Sequence, residues 1–510
     1  MMWILGLSII VSVIVIYAFQ WIIMLTDPKF RNRSSLPPGS MGFPFIGETL
    51  QFMIPSYSLD IHPFITRRIQ RFGPIFRTSL FGKPVIISTD PEFNNYLIQQ
   101  EGNLVENYSG PVSTILGKFG VSASDIHKYV RSITLNHTGP ERIREKLIPQ
   151  FEDMIIKTLH QWSTQTSVDV KQSITKMNFH FFAKHFFGYD IEKLPSNTER
   201  ISEELFTDFT DGFKTIPLNI YGTTYHKCLE EWKKAFKIVK NMLEARRNSP
   251  EKYRGDLLDQ VIDDLEKEKL MNVDQNVLLI IGIWFATCAS ISSAVQLLFK
   301  FLSDDPSVLE ELREEHEKIL RSRDKSSSSL TWNEYKSMKF TQQVMNEALR
   351  FTLLLPGLIR IALRDIHLKE YIIPANWIIL VFTPNLHMNS EIYKDPLTFN
   401  PWRWKVCMKF PFHLFIYLTF LINLITNKFL ISFNAIKDLD SLTVSKNFKP
   451  FGGGLGQCPG AELSRAFTAT FLHVLVTKYR WTKIKGGKAV RNPILGFSDG
   501  IHIKIWEDAE

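Results

Sequence analysis

Beyond Ser122, apolar residues recur mostly every three or four positions. That rhythm predicts helices over Glu141–Gln161, Lys171–Phe187, Thr198–Phe213, His226–Arg247 and Leu257–Lys269. Asp274 is a candidate N-cap for a longer helix, Val277–Leu302. The run from Leu278 to Val295 is apolar nearly all round, as in a helix that spans a membrane or threads the centre of a large domain. Thr287, Ser290, Ser292 and Ser293 halfway along favour the centre, because a helix that passes a ligand needs small residues there. Upstream, Ile75–Leu80 and Pro84–Asp90 alternate like two strands of a small sheet. A last helix is predicted over Ala461–Val476, directly behind a glycine-rich turn.

Two stretches are apolar without such a rhythm. Met2–Leu25 carries no charge, is long enough to cross a bilayer, and has Trp3, Tyr17 and Trp21 near its ends. It lacks a basic leader and a small-residue cleavage site, so it reads as a retained anchor. Lys29, Arg31 and Arg33 follow at once and place the bulk of the chain on the cytosolic side. There the sequons at Asn32, Asn107 and Asn136 stay unmodified. The prolines of Leu36–Thr49 predict a stiff, extended hinge. The second stretch, Phe410–Ile425, lies inside an unusual insert, Val406–Lys437, that contains no acidic residue. The organisation expected is an anchor over 1–25, a basic, proline-rich hinge over 26–49 and one catalytic domain over 50–510.

Composition narrows the class only modestly. The net charge of +8 is spread along the chain, with no Lys/Arg block, which suits membranes or acidic proteins and argues against nucleic acid. Four cysteines without paired spacing argue against a disulfide scaffold or a zinc site.

The candidate chemistry centres on Phe451–Gly460, where Cys458 sits in a run of glycines before the last helix. Glycine allows close approach to a flat ligand, and a helix N-terminus favours a thiolate. Anionic sulfur in such a cradle is how a protein holds haem iron by thiolate. Glu347 and Arg350, at i,i+3, share one face of a helix. Arg403, in the aromatic run Phe399–Trp404, offers a second guanidinium for the same carboxylate.

Glu347-x-x-Arg350, Phe399–Trp404 and the Cys458 loop, in that order behind an anchor and a proline hinge, resemble a cytochrome P450 monooxygenase. The hinge and Leu330–Met338 are most similar to the plant group that oxidises sterols, triterpenoids and brassinosteroids. The resemblance implies a mainly α fold with a minor β region and an N-terminal transmembrane helix. It also implies haem b, with Cys458 as the iron ligand, Phe451 near the sulfur, and Gly454 and Gly460 shaping the loop. His127, Arg131 and Arg360 would meet haem propionates, and Glu347, Arg350 and Arg403 would form a structural triad behind the haem. NADPH would act through NADPH–cytochrome P450 reductase at the endoplasmic reticulum membrane, the catalytic domain facing the cytosol. The substrate implied is an apolar polycyclic small molecule, between Ala286–Ser290, the Asn107–Val121 loop and the Leu353–Leu358 turn.

This chain departs from the family pattern in three places. An arginine two residues before the cysteine is here Gly456, and losing such a contact costs about 1.5–3 kcal/mol. The acid and alcohol that relay protons on the long helix are here Ala289 and Ser290; loss of a general acid costs roughly 10²–10⁴-fold. These departures keep open a haem-thiolate isomerase or dehydratase that needs no reductase, and a catalytically inactive product of a mis-spliced or decaying gene.

The insert is the third departure. A membrane crossing there would separate Cys458 from Glu347 and Arg350. Its Phe, Ile, Leu, Asn and Lys content matches AT-rich codons, Lys405-Val406 can be coded across a splice donor, and Lys437 can end in an acceptor. It fits a retained intron read in frame better than a re-entrant loop. Sequencing the transcript is expected to return a message without the codons for 406–437; a dominant message that keeps them overturns that origin.

Overall fold

The computed structural model describes residues 8, 11–19, 22 and 35–508, apart from 44–45, 109–122, 195–199, 202–204, 206–211, 213–214, 216–218, 250–252, 268–270, 324–328, 352–356, 369, 406–446 and 493. The insert expected at 406–437 therefore lies outside the described residues. So do the hinge residues before Ser35 and most of the helix expected over Thr198–Phe213. Residues 11–19 are helical, with Val11, Ile14, Val15, Ile16 and Phe19 exposed.

The helices used below are α1 (Pro63–Phe72), α2 (Pro91–Gln99), α3 (Ala123–Thr138), α4 (Ile148–Ser163), α5 (Val170–Phe187), α6 (Thr224–Arg247), α7 (Leu257–Glu266), α8 (Val273–Asp304), α9 (Pro306–Ser322), α10 (Lys339–Phe351) and α11 (Ala461–Lys478). The strands are β1 (Ile75–Leu80), β2 (Lys83–Ser88), β3 (Val105–Asn107), β4 (Val168–Asp169), β5 (Leu358–Ala362), β6 (Ile378–Val381), β7 (Tyr479–Gly486) and β8 (Ile501–Glu507). The fold is mainly α with a minor β region.

β1 and β2 form an antiparallel hairpin whose two turn residues, Phe81 and Gly82, both have positive φ, as a tight primed turn demands. The sheet runs on in the order β1-β2-β6-β5-β3; β2 pairs β6 in parallel and the other pairs are antiparallel. In that register Arg360 on β5 stands opposite Asn107 on β3. A second sheet, β4-β8-β7, packs on α4, α5, α8 and α11.

α8 is the axis of the helical body and packs against α5, α6 and α10. Its Trp284 is 1% exposed and stacks on Phe179 of α5 at 4.7 Å between ring centroids, with Tyr189 set edge-on at 6.0 Å. α11 is equally enclosed: Phe467 meets Phe151 of α4, and Phe471 meets Phe299 of α8, both edge to face. A helix apolar all round is what this central position requires.

Two local expectations are corrected. α8 starts earlier than its apolar run suggests, capped by Asn272 in a reciprocal bond with Gln275 and not by Asp274. Asn272 has the glutamine three residues on that a capping box needs; Asp274 lies in the first turn and pairs with Lys240 at 2.8 Å. The helix expected over Glu141–Gln161 is divided by a π turn, Ile143–Leu147, behind Gly139 and Pro140.

Trp284→Ala removes the largest side chain at the α5–α8 contact. It is expected to lower stability by about 3–5 kcal/mol, read as an earlier midpoint in chemical denaturation of the purified protein.

Candidate active site

Glu347 projects from α10 into a place with no solvent and is 0% exposed. Arg350, one helical turn on, forks onto both its oxygens, Nε to Oε2 at 3.1 Å and Nη2 to Oε1 at 2.8 Å. Arg403 donates Nε to Oε1 at 3.1 Å, the Trp404 indole donates to Oε2 at 2.8 Å, and the Asn400 N–H donates to Oε1 at 3.0 Å. The guanidinium groups spend their remaining donors on carbonyls: Arg350 on His387, and Arg403 on Lys394 at 2.7 Å. The carboxylate and Arg350 are buried and the Arg403 side chain is 7% exposed, so removing one partner would strand a charge at about 3–5 kcal/mol.

His387 carries this cluster toward the cysteine. Its carbonyl accepts Arg350 Nη1 at 3.0 Å, and its ring Nε2 accepts the Lys449 N–H at 3.1 Å. Phe448 lies against the same ring and against Trp404. Burial, aided by the Arg350 charge, pushes the His387 pKa down to about 3. The ring is neutral, with its proton on Nδ1.

The loop that follows turns through left-handed glycines. Gly454 has φ of 66°, and a Cβ there would stand 2.5 Å from Glu101 Oε2. Gly460 differs: at φ of −87° it caps α11 in a conformation open to other residues. Cys458 donates its N–H to Phe451 O at 2.8 Å, and the Phe451 ring carries the Arg465 guanidinium 5.1 Å above its centroid. Cys458 is exposed, yet its sulfur is recessed enough that desolvation pushes the thiol up. The Gly460 N–H and the Arg131 charge pull the other way. A coordinated metal deprotonates a thiol outright.

Three basic side chains gather beside it. His127 Nε2 and Arg131 Nη1, one turn apart on α3, both donate to the Gln457 carbonyl at 3.2 Å. Burial lowers the pKa of His127, against the opposing pull of the Gln457 carbonyl and Glu101. Arg360 is 4% exposed; it pairs with Glu101 through Nη2, while its buried Nε has no hydrogen-bond partner.

On the middle turns of α8, Ala286 is exposed and Ile283, Thr287 and Ser290 are half-buried, whereas Ala289 is 8% exposed. The Ser290 hydroxyl donates back to Ala286 O at 2.7 Å, and Thr287 to Ile283 O at 2.8 Å. The other two walls expected for a substrate, 109–121 and 353–356, lie outside the described residues.

The cytochrome P450 profile matches residues 37–498. This chain belongs to the cytochrome P450 family. Among curated relatives of this P450, cucurbitadienol 11-hydroxylase of Siraitia grosvenorii is 42% identical, with 99% of each chain covered. Beta-amyrin 16-alpha-hydroxylase of Maesa lanceolata is 41% identical over 99% of each. A cholesterol 22-hydroxylase of Paris polyphylla is 34% identical over 98% of this chain and 96% of its own. The solved structure of retinoic acid-bound cyanobacterial CYP120A1 superposes with a TM-score of 0.74 at 23% identity, covering 93% of this chain and all of that one. The chain is thus a P450 monooxygenase that works with haem and with electrons supplied by a reductase.

The donor set fits haem. A thiol sits on a glycine loop, and an unpartnered guanidinium Nε is buried near two further basic groups. Cys458 would hold the iron; His127, Arg131 and Arg360 would hold the propionates. Sequence reasoning missed His387, Glu101 and the indole of Trp404. A histidine behind an apolar strand and an acid in Gln99-Gln-Glu-Gly102 give no local signal of partners that lie 37 to 355 residues away.

His387 binds a proton near pH 3 in the folded protein and near 6.5 when unfolded. Between those values the unfolded chain holds more protons, so stability is lost as pH falls from 6.5 toward 3. His473, pushed down to about 4 by burial, adds to the same window. His387→Gln is expected to flatten a plot of stability against pH there by at most about 1.4 kcal/mol per pH unit, measured by denaturation across a buffer series.

Proposed function

We propose that this P450 hydroxylates a rigid, apolar polycycle of the triterpenoid or sterol class, using O₂ and electrons from NADPH. The observation that carries this reading is identity of 34–42% along nearly the whole chain to enzymes named for cucurbitadienol, beta-amyrin and cholesterol. All three are fused-ring alcohols. The middle of α8 is compatible with such a ligand: Ile283, Ala286 and Thr287 offer a low, mostly apolar surface on which a flat ring can lie.

Bound haem supplies activation of dioxygen and insertion of one oxygen atom into a C–H bond. The chain's own part is to position, to exclude water and to bring protons. Ser290 uses its hydroxyl hydrogen on Ala286 O, which leaves oxygen lone pairs to hold a water. Ala289 neither gives nor takes a proton, so water must carry it past that point. The cluster at Glu347 keeps α10 and the Arg403 turn fixed behind the loop, and His387 passes that rigidity to Lys449.

The uncharged run over 1–25, followed by Lys29, Arg31 and Arg33, supports an anchor in the endoplasmic reticulum membrane with residues 50–510 as one cytosolic domain. The positive net charge suits NADPH–cytochrome P450 reductase as the electron donor, through electrostatic complementarity with an acidic face. Ala289 favours a second reading, a haem-thiolate isomerase or dehydratase, which turns over without NADPH.

Microsomes carrying the chain and a reductase are expected to convert a triterpene alcohol or sterol to a hydroxylated product only with NADPH and O₂. Cys458→Ala is expected to abolish both product and the red-shifted Soret band of the reduced, CO-bound protein. Ser290→Ala is expected to lower product formed per NADPH consumed severalfold. Turnover that persists without NADPH would move the assignment to the second reading.

A further inference from the structure

Gly456 stands where the family pattern has an arginine, but the space beside it is filled. A Cβ at Gly456 would lie 2.8 Å from Arg360 Nη2, 3.0 Å from Asn107 Oδ1 and 3.3 Å from Glu101 Oε1. Arg360 reaches in from β5, and Asn107 stands beside it in register on β3. Glu101, just past the end of α2, joins the two sides. One of its oxygens pairs with Arg360 Nη2, and the other accepts the Gly456 N–H at 3.0 Å. The Arg360 and Glu101 side chains are 4% and 3% exposed.

Buried charges persist only where each is paired, and the pairing here is lean. The Glu101 carboxylate serves one cation and one backbone donor. Arg360 gives Nη1 to Ile359 O at 3.1 Å and sets Nη2 in an ion pair with Glu101, while neither Nη2 nor the buried Nε has a hydrogen-bond partner. An unmet guanidinium donor in a closed place calls for an explanation, and an acceptor from outside the chain is one. A carboxylate matches it in charge and shape. A second arginine at 456 would press against Arg360 and would have to share the same acid with it.

We propose that Glu101 is a positioning residue for haem: it ties the cysteine loop to Arg360 and sets that guanidinium against a propionate, doing from the sheet what an arginine at 456 does from the loop. This rests on the haem-thiolate reading above. Gly456 is then an accommodation and not a defect. The charge at position 456 is given up, the one at position 360 is held in place by Glu101, and the loop keeps its place by giving a backbone N–H to Glu101.

The test uses purified holoenzyme and three readouts: the rate of haem transfer to excess apomyoglobin, the ferric/ferrous midpoint potential, and the melting temperature. Glu101→Gln keeps an acceptor for the Gly456 N–H but removes the charge that aims Arg360. It is expected to speed haem transfer about tenfold, the loss of a charge-assisted contact, and to shift the potential upward as a negative charge leaves the site. Arg360→Gln is expected to speed transfer at least as much. The double variant should be no faster than Arg360→Gln within about twofold, because Glu101 acts through Arg360. Gly456→Arg is expected to leave haem transfer no slower than in the parent protein.

A Glu101→Gln protein with a lower melting temperature but unchanged haem transfer and potential would make Glu101 a mere staple and overturn the proposal. Slower transfer in Gly456→Arg, or multiplying effects in the double variant, would overturn it as well. Where Glu101→Gln does not fold, Glu101→Asp carries the same comparison, since it keeps the charge on a shorter arm and should fall between parent and Arg360→Gln. A parent protein without a thiolate-type Soret band would end the haem-thiolate reading, and this proposal with it; a normal parent band with unmoved variants ends this proposal alone.

Discussion

A carboxylate and two guanidinium groups cannot be taken out of water one at a time. Glu347, Arg350 and Arg403 are removed together, with the Trp404 indole and the Asn400 N–H completing the carboxylate's shell. Each alone would carry a desolvation penalty of several kcal/mol that only this shared geometry offsets. The arrangement therefore admits few alternatives. α10 has to present Glu347 and Arg350 on one face, and the Phe399–Trp404 turn has to arrive with Arg403 and Trp404 correctly aimed. The carbonyls of His387, Lys394 and Thr398 have to close on the remaining donors.

From that fixed point the cysteine loop is held by its backbone. The Lys449 N–H goes to His387, the Gly456 N–H to Glu101, the Cys458 N–H to Phe451, and the Gln457 carbonyl receives His127 and Arg131. Apart from the Phe451 bond, these partners sit on separate elements: the segment after β6, the end of α2, and α3. A loop rich in glycine has little intrinsic preference for one shape. Here its shape is imposed from outside, by donors and acceptors that are themselves buried or anchored. Two buried acids bracket it, Glu347 behind and Glu101 at the edge, each matched by arginine.

What could be read from the sequence divides along that line. Periodicity gave α5, α6 and α8 to within a few residues, and alternation gave the β1–β2 hairpin, because those signals are local and α8 is apolar over its whole circumference. The Glu347–Arg350 spacing was legible for the same reason, and Arg403 through its aromatic run. The cap of α8 was misassigned because Asn272 and Asp274 are both good caps; what separates them is the glutamine at position 275. Glu101 and His387 were not legible at all. Their roles come from β5 lying next to β3 and from the chain after β6 returning to the cysteine loop, neither of which leaves a trace in neighbouring residues.

The same distinction bears on Ala289. An acid at 289 would sit on the enclosed side of α8, where alanine is 8% exposed, while Ala286 and Ser290 open toward the free face of the helix. Charge there would need a partner of its own in the core. Alanine removes that requirement and leaves α8 tightly packed, while the hydroxyls of Thr287, Ser290, Ser292 and Ser293 all turn back onto carbonyls of their own helix. The helix is thus apolar apart from a few small hydroxyls that are engaged on its own backbone, with no side chain that changes charge along its open stripe. The hydroxyl oxygen of Ser290 keeps its lone pairs while its hydrogen is engaged, and the proposed water-borne supply of protons rests on that.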